Sequence, residues 1–170
     1  MVSRTSHILG LVAMNGDIDV IINAYKRHDL LERQVYALEK QSIEPRNIFI
    51  WNNGEPINSR ISTARVINSP VNFGVWSRFF FSMNCESKFV AIFDDDTVPG
   101  LKFFENCLEH FECHPGIYGT RGLRFLSRNR YAPYHQYGWM EPNESLMEVD
   151  IVGHNWFLKT EWLPAFTRNL

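Results

Sequence analysis

The chain has 170 residues, 45% apolar and 21% charged, with a formal net charge of −2; it is long enough for one domain with a real hydrophobic core, and it carries no bulk positive field for nucleic acid, so no nucleic-acid partner is expected. The N-terminal apolar run Ile8 to Met14 is too short to span a bilayer and precedes no convincing cleavage site, so neither a transmembrane segment nor a signal peptide is read. Cys85, Cys107 and Cys113 make an odd count without framework spacing, which favours a reducing, cytoplasmic setting.

Apolar runs alternate with helical patterns along the chain, the signature of an α/β domain. Asp19 to Ala24 is a β-branched run suited to a buried strand. Asp29-Leu-Leu-Glu32 has capping-box spacing, and Leu31, Val35 and Leu38 follow at i, i+4, i+7, so a helix over Leu30 to Gln41 is expected. Asn47 to Trp51 reads as a second strand ending at the turn signal Asn52-Asn53-Gly54, which makes this third of the chain a crossover that favours parallel pairing. A short strand over Arg65 to Asn68, a helix over Gly74 to Met83, an apolar strand over Lys88 to Phe93 and a helix over Leu101 to Phe111 come next. Ile117 to Gly119 starts another strand, Arg121 to Met147 reads as mostly loop, Asp150 to Leu158 is strand-like, and Glu161 to Phe166 opens a last helix.

The chemistry concentrates where the Lys88–Phe93 strand runs into Asp94, Asp95 and Asp96. Extended backbone alternates its side chains, so Asp94 and Asp96 share one side and Asp95 points away. Like charges this close cost stability unless a cation or donors compensate; a capping turn needs one aspartate, not three. A hard divalent ion completed by phosphate and water is the usual remedy, and ligands of open α/β sheets sit beyond the carboxyl ends of the strands.

The segment Phe89-Val-Ala-Ile-Phe-Asp-Asp-Asp-Thr-Val-Pro99 resembles the Asp-x-Asp region of family 2-like glycosyltransferases of the GT-A fold. Val20-Ile-Ile-Asn-Ala-Tyr25 resembles that family's first strand and nucleotide-contacting turn, Phe49-Ile-Trp-Asn-Asn-Gly54 its second strand, and Asn72-Phe-Gly74 its Asn-x-Gly element, all in the family's order. The resemblance implies a single GT-A (Rossmann-like) α/β domain over residues 1–170, with a mostly parallel central sheet flanked by helices. A nucleotide-sugar-binding half would cover 17–100 and an acceptor-side half 117–170.

It implies transfer of a sugar from a nucleotide donor, a uridine diphosphate (UDP) sugar by preference, to a hydroxyl of a glycan, lipid-linked or protein acceptor. Asn23 and Tyr25 would line the base pocket and Asn52 would face the base. Asn72, Gly74, Arg78 and Asp95 belong to the same donor site. Asp94 would approach the ribose, and Asp94 and Asp96 would hold Mn²⁺ or Mg²⁺ on the diphosphate. Asn52 stands where the family commonly has aspartate, and Arg78 falls one residue before the family's usual arginine.

Transfer to a hydroxyl also requires a base. Asp150 and His154, in Asp150-Ile-Val-Gly-His-Asn-Trp156, are the candidates, because that run resembles the family's strand beneath the acceptor site. Many relatives carry their catalytic carboxylate in an acidic pair further downstream than Leu170, so this chain either uses Asp150 or is a minimal core with an incomplete acceptor half. Arg121, Arg124, Arg128 and Arg130, ahead of Tyr131, Tyr134, His135, Tyr137 and Trp139, suit phosphates and sugar faces, or a solvated loop.

Other chemistries fit less well. A haloacid dehalogenase-type phosphatase would share the Asp94-x-Asp96 loop but needs a downstream lysine, and only Lys102 and Lys159 follow. Cys107, His110, Cys113 and His114 lie in one helix and its end, whereas zinc sites draw ligands from separate elements. A nucleotidyltransferase would carry a glycine-rich loop where Asn23 to Arg27 has no glycine. A non-catalytic module binding nucleotide-sugar or glycan stays open.

Overall fold

The computed structural model describes residues 17–128 and 131–167; the run Ile8 to Met14 and Arg130 lie outside them. A five-stranded sheet forms the centre, in the order β3 (Arg65–Asn68), β2 (Asn47–Asn52), β1 (Ile18–Ala24), β4 (Phe89–Asp94) and β8 (Asn155–Lys159). The first four strands run parallel and β8 pairs antiparallel on β4. Every residue of β1 is buried, as expected of a central strand covered on both faces.

Alternation sorts the two faces. Ile18, Val20, Ile22 and Ala24 of β1 and Phe89, Ala91 and Phe93 of β4 point to one face. They meet Leu31, Val35 and Leu38 of α1 (Leu31–Glu39) and Phe104, Leu108 and Phe111 of α3 (Phe103–Phe111). Ile21, Val90, Ile92 and Leu158 point to the other face. They meet Phe79 of α2 (Ser77–Ser82) and Leu163 of a C-terminal 3-10 segment, Thr160–Thr167. At the amino end of the central strand Asp19 is buried yet paired, accepting from Asn47 Nδ2 at 2.8 Å and from the backbone N–H of Glu86 and Ser87. That tie fixes the loop leading into β4.

Strand order puts a switch point in the sheet. From β1 the chain moves outward through α1 to β2 and β3, then returns to the opposite side of β1 for β4. The crevice outside the carboxyl ends of β1 and β4 is the place where such folds bind ligands, and it contains Tyr25 and Asp94 to Asp96.

Several expectations need correction. Asp29 makes no capping hydrogen bond: it sits in a 3-10 turn, His28–Leu30, and Leu30 occupies the cap of α1. Ile117 to Gly119 contributes only an isolated bridge, Tyr118 to Phe157. Residues 121–147 are mostly loop, as expected, but they also hold β5 (Arg121–Phe125) and β6 (Tyr134–Tyr137), which pair with β7 (Ile151–Gly153) into a second, antiparallel sheet. The run Asp150 to Leu158 is two strands in different sheets, broken at His154, whose φ is +68°. Among the described residues no helix is long and apolar enough to cross a membrane.

Phe157 is fully buried and stacks on Phe89 with ring centroids 5.1 Å apart, so it ties the antiparallel strand to the core. Phe157→Ala is expected to cost about 3–5 kcal/mol of the roughly 5–15 available to a domain. Urea denaturation measures this; a loss below about 1 kcal/mol would show that β8 is dispensable to the fold.

Candidate active site

The turn after β4 is closed by Thr97 N–H donating to the Asp94 carbonyl at 3.1 Å. Buried Gln34 of α1 clamps it, Nε2 donating to the carbonyls of Asp94 at 2.8 Å and Thr97 at 2.6 Å. Asp94 N–H donates to the carbonyl of His154, so the turn is also held from β8's leading end.

This geometry sends the three carboxylates to different partners. Asp94 Oδ1 pairs with Nη1 of Arg78, a buried guanidinium from α2 that also donates from Nε to the Val75 carbonyl and lies over Trp156. Asp95, only 4% exposed, turns back toward β1. Its Oδ2 accepts from Tyr25 N–H at 3.0 Å and its Oδ1 from Arg27 Nε at 2.9 Å. Asp96 is open to solvent, and its Oδ2 accepts from Arg27 Nη1 at 2.5 Å. Arg27 thus bridges two carboxylates. Burial works against its charge, but Asp95, Asp96 and Asp94 outweigh that and hold its pKa above the ordinary value.

Beside the cluster lies a cleft of about 640 Å³, lined by Tyr25, Lys26, His28, Gly54, Glu55 and Asn72 among others, a size typical of small-molecule sites. Two asparagines build its wall without facing it freely. Asn52 is fully buried, its Nδ2 donating to the Glu55 carbonyl and to Asn68 Oδ1, its Oδ1 accepting from Gly54 N–H. Its Oδ1 also lies 3.1 Å from Nε2 of His28, so the Asn52 amide is shared between the β2–β3 connection and a side chain that lines the cleft. Asn53 donates to Ser77 Oγ and the Gly74 carbonyl and accepts from Phe73 N–H, so it fixes the Asn72 to Gly74 element. Asn72 Oδ1 accepts from Gly74 N–H at 2.7 Å, and Gly74 has φ +72°, a conformation that suits glycine. A Cβ on Gly54 would fall 1.7 Å from the Tyr25 carbonyl oxygen, so the close approach of the segments that follow β1 and β2 requires glycine. Asn23, next to Asp94 in register, is mostly buried and accepts from Asn53.

The two candidate bases separate. His154 sits at the carboxylate end: its carbonyl holds Asp94, its ring is paired with Arg121 Nη1, and Arg121 lies 3.0 Å over the Trp139 ring. Burial lowers the Arg121 pKa, and Asp96 acts on it in the opposite sense. Asp150 instead accepts from Phe125 N–H at 2.7 Å, four residues along β5 from Arg121, or about 13 Å of strand. It lines a different hollow of about 410 Å³ with Arg124 and Arg128.

Sequence reasoning missed Arg27, Gln34 and Asn53. Nothing in the spacing around Arg27 announces a clamp on carboxylates 68 and 69 residues on, nor does anything around Asn53 announce its tie to the Asn72–Gly74 element. The phosphatase and zinc readings find no support: Lys102 and Lys159 pair with Glu105 and Glu161. Cys107 is buried in the core with its thiol pKa pushed up by burial, and among the described residues no three His, Cys, Asp or Glu form a metal-holding group.

Comparison with known proteins agrees with this architecture. The TarS fragment 1–349 of S. aureus solved with UDP aligns at a TM-score of 0.59 and 15% identity, covering 88% of this chain and 48% of that one. A second structure of the TarS fragment 1–349 aligns at a TM-score of 0.57 with 15% identity, covering 88% of this chain and 49% of that one. The mannosyltransferase PcManGT of Pyrobaculum calidifontis, in complex with GDP-Man and Mn²⁺, aligns at 0.48 with 15% identity, covering 64% and 34%. The chain thus spans about half the length of the two TarS structures. No curated protein sequence matches it significantly. The profile described as "Glycosyl transferase family 2" matches residues 19–164, and the chain therefore belongs to that family and shares its GT-A fold.

Proposed function

We propose that this chain transfers a sugar from a nucleoside diphosphate donor, UDP by preference, to a hydroxyl acceptor, with a divalent cation at Asp94 and Asp96. The observation that carries this reading is the placement of those carboxylates at the switch point of the sheet, beside a nucleotide-sized cleft. The UDP of the similarly folded TarS fragment supports the choice of nucleotide.

The donor set suits a hard ion. Two carboxylates offer oxygen only, and Mg²⁺ or Mn²⁺ in such sites takes one or two protein oxygens and completes its shell with phosphate and water. Bound there, the ion supplies positive charge for the negative charge developing on the leaving diphosphate. The chain's own residues do the rest. Tyr25, with Lys26 Nζ 5.0 Å from its ring centroid, offers an exposed aromatic face for the base. Asn53 holds the Asn72–Gly74 wall in place. Buried Arg78 keeps Asp94 oriented.

His154 is the base we favour, because it shares the carboxylate end with Arg121 and Trp139 while Asp150 lies a strand's length away. The acceptor oxygen would form its bond to the anomeric carbon as the carbon–oxygen bond to diphosphate breaks, its proton passing to the imidazole nitrogen once Arg121 Nη1 releases it. The acceptor would be a glycan, a lipid-linked sugar or a protein. The three cysteines are free thiols, in keeping with a cytoplasmic site of action.

UDP at about a hundred times its dissociation constant should stabilise the chain by about 2.7 kcal/mol, a rise in Tm of roughly 5–10 °C for a domain of this size. Asp96→Ala should lose the Mn²⁺-dependent part of that rise while its own Tm stays near wild type; an undiminished rise in the variant would refute the metal assignment. A second measurement separates the bases. His154→Asn, which tolerates the positive φ, should lower kcat by about 10²–10⁴-fold, whereas Asp150→Asn should stay within about twofold. The reverse order in a donor-consumption assay would move the base to Asp150.

A further inference from the structure

Two arginines neutralise the carboxylate cluster, and they differ in freedom. Arg78 is buried, with its side chain 7% exposed and anchored to the Val75 carbonyl and the face of Trp156. Arg27 is 55% exposed on the side chain, and among the described residues its ion pairs run to Asp95 and Asp96. Its hold on Asp95 is shared, because Tyr25 N–H donates to the other oxygen of that carboxylate. Its hold on Asp96 is at the solvent edge.

Arg27 also stands in a telling place. Tyr25, Lys26 and His28 line the cleft while Arg27, between them, reaches back to the carboxylates. A diphosphate joining a base in that cleft to a cation at Asp96 must pass this turn. A cation at Asp96 and a guanidinium on the same carboxylate repel each other, whereas a guanidinium beside a diphosphate gains charge-assisted hydrogen bonds.

We infer that Arg27 is an exchangeable counterion: it occupies Asp96 before the metal binds, gives way when the metal arrives, and pivots on Asp95 to hold the donor diphosphate. This inference rests on the donor-site reading above and adds an order to it, since metal alone binds weakly and metal with nucleotide binds well. Arg27 is thus a positioning residue, acting on the carboxylates in one state and on the diphosphate in the other.

Calorimetric titrations of Mn²⁺ alone, and of UDP at saturating Mn²⁺, test this on the wild type, Arg27→Ala and Arg27→Lys, with far-UV circular dichroism reporting the fold. Arg27→Ala should bind Mn²⁺ alone about three- to tenfold tighter, since a competing cation is gone. It should bind UDP about tenfold more weakly, since a bidentate phosphate contact is lost. Arg27→Lys, with one point of charge instead of a fork, should fall between wild type and alanine in both titrations. The opposite signs are the signature, because a purely structural role weakens both. Unchanged or weaker Mn²⁺ binding in Arg27→Ala overturns the inference; should that variant misfold, the same result in Arg27→Lys does so. Wild type that binds neither Mn²⁺ nor UDP overturns the donor-site reading as well, whereas wild type that binds both, with variants that do not differ, overturns the Arg27 role alone.

Discussion

Like charges packed within one turn of chain must be separated or neutralised, and the turn after β4 does both. Strand alternation carries Asp94 to the α2 face, where a buried arginine meets it, while the turn closed by Thr97 folds Asp95 inward against the backbone of Tyr25. Asp96 is left at the rim. The compensation comes from two different crossovers, Arg27 after β1 and Arg78 after β3, so the cluster exists only once the parallel sheet has formed. Fold and site depend on one another here: the sheet brings the arginines, and without them the sheet would end in uncompensated charge.

The same economy governs the wall of the cleft. Buried amides are costly unless paired, and Asn52 and Asn53 each spend their groups on backbone and side chains from other segments. Asn52 shapes the β2–β3 connection and Asn53 the Asn72–Gly74 element. Neither needs to touch a nucleotide to matter, since each fixes the backbone that borders it.

The α/β character, the parallel order of the first strands and the carboxylates at a strand's tip were legible because each leaves a local mark: β-branched runs, a crossover helix and a charge cluster after an apolar run. The second sheet left none. Its strands are short and half-exposed, with Arg, Tyr, His and Gln on both faces, so no alternation betrays them. The capping box misled because spacing alone cannot see the 3-10 turn that precedes α1. Arg27 and Gln34 were opaque for another reason. Their partners lie sixty or more residues away, and contact at that range follows from strand order, which sequence pattern leaves undetermined.

His154 joins these observations. Its positive φ breaks a run that otherwise reads as one strand, and the break is what lets β7 lie in the small sheet and β8 in the large one. The residue at the break then holds Asp94 through its carbonyl and meets Arg121 of β5 through its ring. Both sheets are therefore indexed to the carboxylate turn by a single residue. A shift of β5 against β7 by one position would carry Arg121 to the opposite side of its sheet and away from this junction. The register of the small sheet is thus set where its chemistry would be needed, which is a physical reason for it to begin at Arg121.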